Sequence, residues 1–252
     1  MIRVIAAREL KSLFLSPLAW AVLAVTQFLF AYMFLTQLEV YARNQARLAG
    51  LESAPGVTDL VAAPLYSSAG VVLLLLAPLL TMRLIAEERR NDTLTLLLSA
   101  PISATEIVLG KFVGLMSFFL IMIALLTLMP LSLSAGTTLD FGQLGACVLA
   151  LLMLLAAFSA LGIFISSLTA QPMVAGISTF GALLLLWIID WASTAGAEDK
   201  AATVFNYLSV DHHYQLLLSG VFSSTDAGYF ILFTAMFLAL AVWRVDADRL
   251  QA

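Results

Sequence analysis

The amino-acid sequence predicts an all-α membrane protein that crosses the bilayer six times. Of its 252 residues, 62% are hydrophobic and 11% are charged, whereas soluble globular chains have about 45–50% apolar and about 25% charged residues. Intervals without any charged side chain recur along the chain, and they are long enough for the roughly 20 helical residues that cross a bilayer. Composition and spacing together favour a bundle of transmembrane helices.

The uncharged intervals mark where the chain can cross, because a charged residue at the bilayer centre costs about 2.5–3.5 kcal/mol on insertion scales. They cover residues 12–38, 60–82, 112–139, 141–189 and 227–243. The fourth interval is too long for one crossing, and its polar stretch 166–172 supplies a turn between two helices. Within a single transmembrane domain over 1–252, we predict spans at 17–38, 62–83, 106–131, 142–166, 172–190 and 227–243.

The distribution of Lys and Arg orients these spans. The side that holds both termini carries Arg3, Arg8, Lys11, Arg83, Arg89, Arg90, Lys111, Arg244 and Arg249. The other side carries only Arg43, Arg47 and Lys200. Because cytoplasmic segments carry the excess of Lys and Arg, both termini and the segment 83–111 are predicted to be cytoplasmic.

Amphipathic helices are predicted outside the spans. Residues 1–16 are expected to lie on the inner face of the membrane with a lipid-facing stripe formed by Ile2, Ile5, Leu10 and Leu13. The outer segment 191–226 is expected to form short helices at the opposite interface. Adjacent histidines on a helix point about 100° apart, so His212 and His213 are predicted to be an exposed polar step rather than a metal site.

Several functions are disfavoured by the residues the chain contains. It has no G-x-x-x-x-G-K-[ST] phosphate loop for ATP, and a net charge of -4 offers no basic surface for nucleic acid. The single cysteine, Cys147, is expected to pack in the interior. No catalytic residue, cofactor or metal is therefore predicted for this chain.

Small and neutral polar residues occur inside the spans. Gly110 and Gly114 form a G-x-x-x-G pattern that permits close helix contact. Interhelical hydrogen bonds are the expected role of the neutral polar residues, which include Thr26, Gln27, Ser117, Thr127, Ser159 and Thr179.

The segment 87–101, between the second and third spans, has the clearest local pattern. Asn91 or Asp92 is predicted to cap a short leucine-rich helix that Pro101 ends. Ser103 and Glu106 then form an S-x-x-E capping box at the start of the next helix. From the residues alone, this helix is either a connector that rests among headgroups or a docking element for a cytoplasmic partner.

This segment resembles the coupling helix of the type-2 ABC permeases, whose pattern is E-E-x-x-x-x-T-[LI]-x-x-L-L-x-x-P-[IV]-S-x-x-E-[IV]-x-L-G-K. The matching residues are Glu87, Glu88, Thr93, Leu94, Leu97, Leu98, Pro101, Ile102, Ser103, Glu106, Ile107, Leu109, Gly110 and Lys111. Glu9-Leu10-Lys11, followed by Phe14 and Ser16-Pro17, is similar to the entry motif of the branch that includes the gliding-motility permease GldF. Asp92 stands where many relatives carry Gly, so a side-chain cap is expected there instead of a left-handed turn.

The resemblance implies a six-helix permease subunit of the bacterial inner membrane. Its implied partners are cytoplasmic ABC ATPase subunits, which bind ATP and Mg, and a second permease copy or paralogue. A large extracytoplasmic subunit is a further candidate partner. The residues expected to meet the ATPase are Glu87, Glu88, Arg89, Arg90, Thr93, Leu94, Leu97, Leu98, Pro101 and Glu106. The resemblance is compatible both with export and with force transmission. The alternatives are a scaffolding subunit without cargo and, less favoured, a membrane enzyme.

Reporter fusions test the predicted orientation. Fusions after residues 50, 92 and 252 should report outside, inside and inside, because the basic residues are concentrated on the side of the termini. A reversed reporter at any of these three positions contradicts the predicted number of spans.

Overall fold

In the computed structural model of the chain, residues 1–48, 56–93, 102–194, 209–220 and 223–249 are described, and these residues contain helices and connections but no strand. The α-helices are α1 (Ile2–Leu15), α2 (Pro17–Leu48), α3 (Ala63–Thr81), α4 (Ala86–Arg90), α5 (Ala104–Ser132), α6 (Phe141–Leu168), α7 (Pro172–Thr194), α8 (Val210–Leu218) and α9 (Ser224–Arg249). A π-helical turn, Thr58–Ala62, precedes α3, and a 3-10 turn, Leu133–Ala135, follows α5.

Six helical stretches in the described part of the chain are long and apolar enough to cross a bilayer, which confirms the predicted all-α, six-span fold. They are Pro17–Gln45, Thr58–Arg90, Ala104–Ala135, Phe141–Leu168, Pro172–Ile189 and Ser224–Arg249. Several helices extend past the predicted spans, because charged residues close to a helix end remain helical where they reach the interface.

Helix α6 lies at the centre and packs against α3, α5, α7, α8 and α9. Its contact with α3 is close because Gly162 faces Thr81. A Cβ atom at Gly162 would lie 2.4 Å from Thr81 Oγ1, so the absence of a side chain allows the two helices to approach. Cys147 is buried on the same helix, as predicted.

The neutral polar residues of the spans divide into two groups. Gln27 donates to the Met122 carbonyl across 3.1 Å, and the Thr127 and Tyr66 hydroxyls lie 2.7 Å apart, which confirms interhelical bonding there. Thr26 and Ser159 donate to carbonyls of their own helices and also contact methionine sulfurs on α5, Met122 Sδ at 3.3 Å and Met116 Sδ at 3.7 Å. The hydroxyls of Ser117 and Thr179 donate only to carbonyls one turn earlier in their own helices, so the prediction is wrong for these two. A helix carbonyl is always within reach of a Ser or Thr side chain and needs no second helix.

At the end of the bundle opposite α1, the short helix α8 packs inward rather than lying free at the interface. Its buried residues recur with helical spacing and are Val210, His213, Tyr214, Leu217 and Leu218. Tyr214 donates to the Tyr66 carbonyl across 2.6 Å, and burial raises the pKa of Tyr214 well above its ordinary value. The hydroxyl therefore keeps its proton and holds α8 to α3.

His213 is not part of an exposed step, so that prediction is wrong. Its Nδ1 atom lies 2.6 Å from Asp226 Oδ1, and both side chains are buried. The ring also stacks on Tyr229, with 4.3 Å between ring centroids. The pair joins α8 to α9, and no local pattern signals it because the two residues are separated by residues 214–225.

Candidate functional site

A buried lysine organises the end of the bundle where α1 and α4 lie. Lys111, in the second turn of α5, is only 1% exposed. Its Nζ atom lies 2.8 Å from Glu88 Oε1 on α4 and 3.5 Å from Glu9 Oε2 on α1. A buried ammonium is costly unless carboxylates compensate it, so these two contacts fix three helices around one charge.

Helix α1 packs against α5 along the G-x-x-x-G pattern. A Cβ atom at Gly110 would lie 2.6 Å from the Cβ of Ile5, and one at Gly114 would lie 2.8 Å from the Cβ of Glu9. The two glycines therefore allow the close contact that the sequence predicts. Ile5 is buried against this groove, so the expectation that it faces lipid is wrong.

Further ion pairs join α1 to the same cluster. Arg8 Nη2 lies 3.4 Å from Glu88 Oε1, the oxygen that also meets Lys111. The amino group of Met1 lies 3.5 Å from Glu106 Oε1 in the first turn of α5. Charge thus holds the start of α1 and its middle, and the glycine contact lies along the same stretch.

Helix α4 is attached on its other side to α6 and α9. The backbone N–H groups of Ile85 and Ala86 donate to Ser166 Oγ at 3.2 and 3.0 Å, and Ser166 donates to the Met82 carbonyl at 3.1 Å. Asp248 pairs with Arg89, and also with Arg244 at 3.2 Å. The short helix is therefore anchored to α1, α5, α6 and α9.

The predicted coupling residues do not all point the same way. Glu88 and Arg89 are engaged by partners inside the chain, whereas Glu87, Arg90 and Thr93 are exposed. Leu94, Leu97, Leu98 and Pro101 lie outside the described residues. The exposed residues are the ones available to a partner, and the engaged residues attach the segment to the bundle.

Glu106 forms the predicted capping box. Its backbone N–H donates to Ser103 Oγ at 3.2 Å, and the Ser103 N–H donates to Glu106 Oε2 at 3.1 Å. The box fixes the first turn of α5, and this turn lies directly before the turn that carries Lys111.

The turn after α4 is left-handed, contrary to the expectation for Asp92, while the helix that Asp92 was predicted to cap lies outside the described residues. Asp92 has a φ of 55°, the conformation for which glycine is usual and which Asp tolerates better than most other residues. Thr93 Oγ1 donates to the Glu88 carbonyl at 3.2 Å across the turn.

The predicted site lacks several residues of this cluster, namely Arg8, Glu9, Lys111 and Asp248. Glu9 and Lys111 belong to two separate motifs, E-L-K near the start of the chain and L-G-K after the coupling segment. The signal available in the sequence was that one motif contains an acidic residue, Glu9, and the other a basic residue, Lys111, which could pair if the two helices pack together. Asp248 lies in the last helix and follows no recognisable motif.

An open cleft of about 750 Å³ lies beside the cluster. Its walls combine charged side chains, including Arg8, Glu9 and Lys111, with apolar residues of α2 and α3 such as Leu18 and Leu80. Among the described residues, no group of His, Cys, Asp and Glu has an arrangement that could hold a metal ion. The charged residues beside the cleft are arranged to hold several helices together.

The fold identifies the chain as a polytopic α-helical membrane protein. At one end of its bundle, ion pairs attach the short charged helix α4 to the membrane helices. The family model described as ABC-2 family transporter protein matches residues 3–248. The chain therefore belongs to the ABC-2 transporter family and is a membrane, or permease, subunit of an ABC transporter. Subunits of this family are generally non-catalytic and work with a separate ATPase. A comparison with individual curated proteins finds no match.

Replacement of Lys111 tests the buried cluster. Lys111→Met should lower the free energy of unfolding by about 3 kcal/mol, because it leaves the carboxylates of Glu88 and Glu9 without their buried cation. The double variant Lys111→Met, Glu88→Gln should recover part of this loss. Reversible unfolding in mixed detergent micelles measures both.

The control is Arg43→Met, which removes a cation from an exposed pair with Glu39. This change should have little effect, because exposed ion pairs contribute little to stability. Equal stability of Lys111→Met and wild type would contradict the structural role assigned to Lys111.

Proposed function

We propose that this chain couples ATP hydrolysis in a separate cytoplasmic ATPase to export or force transmission across the bacterial inner membrane. The segment 87–101 is the docking element, and ATP and Mg are bound by the partner. The observation that carries the proposal is the attachment of α4: Glu88 meets Lys111 of α5 and Arg8 of α1, while Arg89 meets Asp248 of α9.

This attachment suits force transmission because a push on a helix is transmitted only if the helix is held. Helix α4 has partners on two sides, and its first N–H groups are bonded to Ser166 of the central helix α6. A displacement at 87–93 would therefore reach several membrane helices together, whereas a loosely attached loop would absorb it.

The remaining features of the assembly are part of the proposal. We place both termini and the docking segment in the cytoplasm, on the distribution of Lys and Arg. The permease is proposed to pair with a second copy or a paralogue and to belong to the branch that includes GldF, on the Glu9-Leu10-Lys11 and Ser16-Pro17 motifs. Helix α8, at the far end, is the proposed contact for an extracytoplasmic subunit.

A scaffolding or mechanotransmitting subunit without cargo is the second candidate. The bonds at the far end favour it: Tyr214 holds α8 to α3 and His213 holds α8 to α9. A displacement of α3 would thus reach the outer surface even if nothing were conducted. Reconstituted complex in liposomes separates the two candidates, since ATP turnover with cargo flux supports export and turnover without flux supports the scaffold.

Leucine substitutions in the docking segment test the proposal. If Leu97 and Leu98 are buried anchors in an ATPase groove, Leu97→Ala or Leu98→Ala should weaken the complex by roughly 1–3 kcal/mol, because a few buried side chains carry most of an interface's binding energy. Recovery of the ATPase in a pull-down from membranes measures this effect.

The matched control is Leu216→Ala, which removes the same side chain from an exposed position on α8. This variant should retain the ATPase, and all three variants should insert into the membrane in wild-type amounts. Full ATPase recovery with both docking-segment variants would show that 87–101 is a connector lying among headgroups.

A further inference from the structure

A second cleft opens on the face of the bundle between the end of α3 and the start of α7. It has a volume of about 800 Å³ and contains apolar side chains, among them Leu75, Leu79, Ile177 and Phe180. Leu75, Leu79 and Ile177 are strongly exposed in the described chain. The cleft is therefore a largely apolar groove on the side of the bundle, and it is open at the protein surface.

The mouth of this cleft is basic. Arg83 and Arg90 line it and are exposed, and no carboxylate of the described residues forms an ion pair with either. The other basic residues nearby differ, since Arg8, Arg89 and Lys111 all have acidic partners. One carboxylate, Glu87, also lines the mouth, so the local charge of these three side chains is positive by one.

The mouth lies at the headgroup level. Helices α2 and α9 place the exposed side chains of Trp20 and Trp243 at the same end of the bundle, and exposed tryptophans mark the interface between hydrocarbon and water. Arginines at this level gain from phosphate groups, which their guanidinium can bind through two parallel hydrogen bonds.

We propose that this cleft binds an anionic phospholipid of the leaflet on the α1 side. Arg83, assisted by Arg90, holds the headgroup phosphate, and the acyl chain lies along Leu75, Leu79 and Ile177. The cleft requires an amphiphile because its charge is confined to the mouth and its depth is apolar. Glu87 and Arg90 also belong to the proposed docking segment, so lipid binding is measured on the permease without the ATPase, and its failure leaves the proposed coupling function untouched.

A second copy of the chain suits this cleft less well. Two copies related by a two-fold axis place the same surface of each against the other. An axis through the mouth of the cleft would bring Arg83 towards its own counterpart, which is repulsive. A phosphate neutralises the same charge, and the charge of the mouth therefore favours lipid as the occupant.

Lipid binding to the purified full-length chain tests the headgroup contact. Native mass spectrometry would compare phosphatidylglycerol with phosphatidylcholine of the same acyl chains. Wild type should prefer phosphatidylglycerol, and Arg83→Gln should weaken its binding roughly tenfold, the effect of losing one charge-assisted contact. Glu87→Gln should strengthen it, because the competing carboxylate is removed. A purely structural role for these side chains predicts no such opposite signs.

Arg3→Gln is the matched control for charge. Arg3 is exposed at the same end of the bundle, has no ion pair among the described residues and does not line the cleft. This variant should bind phosphatidylglycerol as wild type does. An equal loss in Arg3→Gln and Arg83→Gln would mean that lipid responds only to the overall charge of this end, and it would overturn the site.

A filled cleft tests the position of the acyl chain. Ile177→Trp should occupy the cleft and lower lipid binding severalfold while remaining apolar, whereas Ile231→Trp, on an exposed position of α9, should not. Equal binding of both lipids by wild type would refute the proposal. So would cross-linking of two copies through Ile177→Cys with no bound lipid, since it would show that a second copy covers the cleft.

Discussion

The contact between Lys111 and two carboxylates, Glu88 and Glu9, determines how one end of this protein is built. A buried ammonium must be compensated, and the compensation comes from two other helices. Helix α1 is therefore held against α5, where Gly110 and Gly114 allow it to fit, and α4 is held above both. The same Glu88 oxygen also receives Arg8, so a single carboxylate joins three elements that are separate in the sequence.

The connection continues through the membrane along α3. Helix α4 follows α3 after the turn 82–85, and Ser166 of α6 bonds to both sides of that turn. At the opposite end, the Tyr66 carbonyl of α3 accepts the Tyr214 hydroxyl of α8. Helix α3 thus has hydrogen-bonded contacts at both of its ends, as the proposed relay of displacement between the two faces requires.

The fold could be predicted from the sequence because hydrophobic length and local capping are properties of contiguous residues. The six spans and the Ser103–Glu106 capping box are examples. The buried pairs could not, because Lys111 with Glu9 and His213 with Asp226 depend on how helices pack. Lys111 was predicted only as one of the basic residues on the side of the termini, and in the structure it is buried because α1 packs over the second turn of α5 and excludes solvent. The left-handed conformation of Asp92 was not predicted, because Asp tolerates this conformation better than most residues but does not require it.

The most direct test of the account is the width of a distance distribution between α1 and α4. Spin labels at Ala7 and Asn91, both exposed, would be introduced in a Cys147→Ala background and measured by double electron–electron resonance in bilayers. If the cluster around Lys111 fixes α4 to α1, the wild-type distribution is narrow and Lys111→Met broadens it. Equal widths in the two proteins would contradict the claim that this buried charge holds the docking segment to the bundle.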